Sequence, residues 1–103
     1  TNEARQAYQQ DLEISQRLAA ADPNNTEAQR DVSISYSNLA SVHLAANKLP
    51  EALANYQTAL AIDEKLLAQD KLNHTLQEDL AYNQSKIDEI KGRLQKQGSQ
   101  VAK

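Results

Sequence analysis

The sequence has no cysteine, methionine, tryptophan or phenylalanine, and only two glycines and two prolines. Without cysteine there is no disulfide framework and no thiolate chemistry. That absence fits both cytosol and periplasm, and the cytoplasm is the expected compartment. No apolar run approaches the roughly 20 residues of a membrane span. No charged segment followed by an apolar one has the signature of a signal peptide. The net charge of -3 offers no basic footprint for nucleic acid or an anionic membrane. No basic polar face suits an interfacial helix, and Pro23 and Pro50 interrupt any sustained heptad. Strand signals are also missing, with neither β-branched alternation nor an Asn-Gly or Asp-Gly hairpin turn.

Alanine, leucine, glutamine, glutamate and lysine dominate the 103 residues, and they favour helix. The reading is an all-α chain. Alanine replaces bulk at many apolar positions, which lets helix axes approach but buries little area per residue. A core so thin needs neighbours stacked along it. The chain begins at Thr1 rather than methionine, as an excised piece of a longer protein would.

Four helices are predicted, at about 2–21, 26–46, 50–69 and 74–97. Asp22-Pro23-Asn24-Asn25 ends the first, because proline disfavours helical geometry in the residue before it. Asn24 or Asn25 can cap the second. Val32 to Asn47 contains no Asp, Glu, Lys or Arg, so this helix is expected to be covered on more than one side. Val32, Tyr36, Leu39, Ala40 and His43 trace one face; Ile34 and Leu44 lie off it. Asn47 is the expected left-handed residue at its end, and Pro50 suits the first turn of the third helix. Asn73 is expected to cap the fourth helix. Gly98 is expected to end it, leaving 99–103 as a frayed tail.

The chain also repeats itself. Ala4 and Ala52, Tyr8 and Tyr56, Leu12 and Leu60, Leu18 and Leu66, Asn25 and Asn73, and Asp31 and Asp79 are each 48 apart. One register aligns apolar, capping and charged positions together, so the unit is a helical hairpin that stacks into a solenoid.

On these residues the chain resembles the tetratricopeptide repeat family, in its long-helix bacterial form. Tyr36, Leu39, Ala40 and His43 fall at the aromatic, leucine, small and second aromatic positions of the family's first helix. Asn47 falls at its turn glycine. Ala52, Tyr56 and Ala59 fall at the small, aromatic and small positions of its second helix. The usual closing proline would fall at Glu64, so the third helix runs on to Asp70, and the period is about 48 rather than the usual ~34. Gln84, Asp88 and Lys91 replace the packing residues of the fourth helix, which therefore reads as a solvating cap. The resemblance implies a non-catalytic α-solenoid without a cofactor, binding a protein or peptide in a groove lined by helices 2 and 4. By the family's pattern, Ser37, Asn38, Ser41 and Leu44 face that groove from helix 2. The 48-residue offset adds Ser85, Lys86 and Glu89 from helix 4, with Gly92 leaving room for a ligand side chain. Tyr82 is the tyrosine expected to be exposed and functional. Tyr8, Tyr36 and Tyr56 fit wedge positions between helices. With only Lys86 basic among these positions, no carboxylate clamp is expected. The alternative is a structural spacer or self-assembly edge, with a homodimer through helix 1.

No catalytic constellation emerges. There is no phosphate loop, no His-x-x-x-His and no nucleophile elbow. His43 reads as a packed residue and His74 as a solvated one. The neighbouring carboxylates Asp63-Glu64, Glu78-Asp79 and Asp88-Glu89 read as solvated helix faces, since adjacent helical residues diverge.

Overall fold

In the computed structural model, residues 2–101 are described, with side chains given for 2–98. Four helices follow in order: α1 (Asn2–Ala21), α2 (Thr26–Ala45), α3 (Leu49–Gln69) and α4 (His74–Val101). Each packs chiefly on the next, α1 on α2, α2 on α3 and α3 on α4. The result is a slab of 51 × 33 × 17 Å. No strand occurs among the described residues.

Local chemistry sets the helix ends. The Asn25 side chain accepts from the Ala28 amide at 3.1 Å, and the Asn73 side chain accepts from the Leu76 amide at 3.1 Å. Each bond satisfies one of the amides that a helix start leaves without an intrahelical partner. The two turns match further. Gln29 donates to the Pro23 carbonyl, and Gln77 donates to the Lys71 carbonyl. At the end of α2, the Lys48 amide reaches back to the His43 carbonyl at 2.8 Å and the Asn47 amide to that of Leu44 at 3.0 Å. Asn47 has φ 59°. This is a Schellman closure with asparagine in the left-handed position. Alanine at Asn47 is expected to lower stability by about 1 kcal/mol, because its Cβ meets the same strain with no polar group to offset it. Glycine there should hold stability close to wild type; urea denaturation of the two variants checks both.

α2 is covered on two sides, as its lack of charge requires. Leu39 joins Leu12 and Val32 in one cluster, with Tyr8, Ala19, Tyr36 and Ile62 packed around it. The adjacent Ala40 joins Leu49, Ala52, Tyr56, Ile87 and Ile90 in the other. One helix thus divides two small cores, and consecutive residues serve different ones.

Three expectations are corrected. α4 does not stop at Gly98 but continues to Val101. Neither glycine has a positive φ, so Gly98 keeps helical geometry instead of turning the chain. Residues 102–103 of the expected tail lie outside the described residues. Leu44 is not a free groove contact, because it packs on the cluster around Tyr56. Asp63 is not solvated: it is fully buried.

Candidate protein-binding groove

The buried Asp63 anchors the polar side of the fold. It sits on α3 between Ala59 and Leu66, in the stripe that otherwise supplies apolar core. Ser33 of α2 donates to Asp63 Oδ1 at 2.6 Å, and its oxygen also lies 3.1 Å from the Ala59 carbonyl. Asn83 of α4 donates from Nδ2 to Asp63 Oδ2 at 2.6 Å. Ser37 of α2 donates to Asn83 Oδ1. One carboxylate therefore ties three helices through neutral donors. Burial pushes the Asp63 carboxyl above its ordinary range, and the bonds from Ser33 and Asn83 pull it back part of the way.

Beside this network, Arg30 Nε meets Asp79 Oδ2 at 2.8 Å, with Nη2 3.4 Å from Oδ1. The pair joins the starts of α2 and α4. Its hydrogen bond raises the Arg30 pKa further above its ordinary value. Asp79, expected on a solvated helix face, is instead partly buried and acts as a tie between helices.

Between α2 and α4 a cleft of about 70 Å³ opens, lined by Ser33, Ile34, Ser37, Asp79, Tyr82 and Asn83. Of the residues expected in a groove, Ser37 and Tyr82 meet here. Tyr82 is 51 % exposed and sets its ring edge-on to that of Tyr56, with centroids 6.5 Å apart. Lys86 Nζ lies 5.7 Å from the Tyr82 ring centre and 3.8 Å from Glu89, which also pairs with Arg93 at 3.0 Å. Tyr82, Lys86 and Glu89 thus form a contiguous rim on α4. Ser41 and Ser85 are exposed and Asn38 is half-buried, and the cleft does not include them. A Cβ at Gly92 would meet nothing within 4 Å.

The buried polar network beside the cleft was missed from sequence. Asp63 had a legible signal, since it follows Tyr56 by seven residues and Ala59 by four, on the buried stripe of α3. Ser33 and Asn83 had none, because a small polar residue on a mostly apolar helix reads equally as surface. Gln84, Asp88 and Lys91 on α4 are exposed, as their polarity suggested.

Residues 32–70 match the family model described as tetratricopeptide repeat. The match spans most of α2, the Asn47 turn and all of α3. This chain carries a tetratricopeptide repeat. Tyr36, Leu39, Ala40, Ala52, Tyr56 and Ala59 lie within the matched repeat, and all but the half-buried Tyr36 are buried. Such repeats generally mediate protein interactions, and the family is typically non-catalytic. No curated protein and no solved structure matches the chain. Among the described residues, no helix of the repeat or its flanks is long and apolar enough to cross a membrane.

Proposed function

We propose that the chain is a non-catalytic module, acting in the cytoplasm, that binds a protein or peptide in the groove between α2 and α4. The observation that carries this reading is the cleft beside an exposed Tyr82, on the face that belongs to the first helix of a tetratricopeptide repeat. Tyrosine offers contact area and a polar tip at low entropic cost, and it is enriched among residues that dominate binding. Ser41 and Ser85 supply exposed hydroxyls to an extended peptide backbone. The 48-residue period belongs to the same reading, supported by the matched hydrogen bonds of the two inter-helix turns.

The test uses a partner captured by the chain and then measured by titration calorimetry. Alanine at Tyr82 is expected to cost about 2 kcal/mol of binding, the usual threshold for a dominant contact. Alanine at Asn38 and Ser41 should weaken binding less, without unfolding the chain. Unchanged affinity in all three variants would sink the groove assignment.

A second reading rests on α1. Ile14 and Leu18 are 53 % and 56 % exposed, whereas Ile62 and Leu66 at the matching positions of α3 are half-buried and buried. A face that is covered in one helix and bare in its counterpart suits a contact with another helix, including an isologous dimer through α1. A concentration-independent monomer in solution scattering would count against self-association.

A further inference from the structure

We infer that the cleft between α2 and α4 selects a compact N–H donor, the primary ammonium of a partner's lysine side chain. This inference rests on the groove reading and names the chemistry that its cleft would recognise.

The argument is an accounting of protons. The Asp63 carboxylate accepts at both oxygens, so Ser33 and Asn83 must donate towards it. Among the described residues, the only other partner of the Ser33 hydroxyl is the Ala59 carbonyl, which also accepts and also lies inward. With its Nδ2 turned to Asp63, Asn83 presents Oδ1 to Ser37, and Ser37 must then donate as well. Both serine hydroxyls lining the cleft have therefore directed their single protons into the protein. What these groups can still offer a visitor is lone pairs. Asp79 adds a carboxylate with about four acceptor sites, of which Arg30 uses one on each oxygen. Ile34 and Tyr82 complete the lining with apolar and aromatic surface.

Size and charge narrow the choice. The cleft is small, about 70 Å³, and is walled by α2 on one side and α4 on the other. An ammonium with its neighbouring methylene is compact, whereas a guanidinium is a broad planar fork. Arg30 neutralises one of the two carboxylates, Asp63 and Asp79, so the local balance is negative when both are ionised. A carboxylate guest would set acceptors against acceptors and leave them unpaired, which disfavours it. The Tyr82 ring already holds an ammonium nearby, that of Lys86, and the face of an aromatic ring attracts cations. Lys86 therefore competes with the guest.

The test is an amide ¹H–¹⁵N NMR titration of the intact chain with blocked Ala-Ala-Lys-Ala-Ala and its norleucine and glutamate counterparts. The lysine peptide is expected to give saturable shifts at the cleft residues, and to bind roughly tenfold tighter than norleucine, the scale of a hydrogen bond to a charged group. Asp79→Asn should remove most of that preference. Lys86→Gln, remote from the buried network, should tighten lysine binding roughly two- to threefold by removing the competing cation. Equal shifts from all three peptides would overturn the ammonium selectivity while leaving the groove itself in place. No saturable shift from any of them would overturn this inference, and the Tyr82, Asn38 and Ser41 calorimetry would then decide the groove separately.

Discussion

Alanine at Tyr56 is expected to destabilise the chain by about 3–5 kcal/mol, the range for deleting a fully buried aromatic. Tyr56 is the largest of the fully buried side chains, and it lies where α2, α3 and α4 meet, against Ala40, Leu49, Ala52, Ile87 and Ile90. Two of those neighbours are alanines and cannot reach into the space it would vacate. A domain of this size holds about 5–15 kcal/mol in total, so the variant would lose about a fifth of its stability or more. Phenylalanine should behave oppositely. The Tyr56 hydroxyl is buried and has no hydrogen-bond partner among the described residues. Its burial, with the Tyr82 hydroxyl and the Glu89 carboxylate nearby, pushes its pKa well above the usual phenol range. Removing an unpaired buried hydroxyl should leave stability unchanged or raise it by about 1 kcal/mol. Urea denaturation of both variants tests the pair. A loss below about 1 kcal/mol for alanine would mean that the core shared by α2, α3 and α4 does not rest on this ring.

The second large effect is expected at Asn83. Leucine there removes the donor to Asp63 and the acceptor for Ser37 in one step. Leaving a buried carboxylate short of a donor is expected to cost about 3 kcal/mol, the upper end for hydrogen bonds to charged groups. The double variant Asp63→Leu/Asn83→Leu should recover part of that loss, because it removes the stranded carboxylate with its partner. Simple additivity of the two single losses would argue against a coupled network. The pH dependence carries a definite sign. Burial raises the folded-state pKa of Asp63 above its ordinary value of 3.8. Between 3.8 and that raised value, the native chain binds more protons than the unfolded one. The contribution of Asp63 to stability is therefore greatest at or below the ordinary value and falls as pH rises through the folded one. Denaturation from pH 4 to 7 should show wild type losing ground to Asp63→Asn as pH rises. A gap that does not change with pH would mean that Asp63 titrates alike in both states.

The groove proposal and the fold share these atoms. Asp63 ties α2 and α4 to α3, and the direction it imposes on Ser33, Asn83 and Ser37 decides what the cleft can offer a partner. A substitution made to probe binding at Ser37 or Asn83 would therefore also disturb the packing. Tyr82, Ser41 and Lys86 are better probes, because none of them enters the buried network.

The helix starts and the turns between helices were legible because their causes are local, whereas the expected stop of α4 at Gly98 was not met. Asn25 and Asn73 cap through bonds to residues three positions on, and Asn47 turns the chain with bonds confined to six residues. The two-sided burial of α2 was legible from its missing charges. So was the exposure of Tyr82, on a helix that departs from the repeat pattern. The tertiary structure alone decided which side of each stripe is covered. Ile14 and Leu18 lie bare on α1 because no described helix crosses them, although Ile62 and Leu66 repeat their spacing on a covered face. Leu44 packs, half-buried, against the core cluster to which α4 contributes Ile87 and Ile90. Asp63 can be buried only because α2 and α4 each deliver a donor from 20 or 30 residues away. Helix boundaries rest on bonds within a turn of the chain. The fate of a polar residue on a helix face rests on what another helix brings to it, and the residue's own neighbourhood in sequence does not carry that.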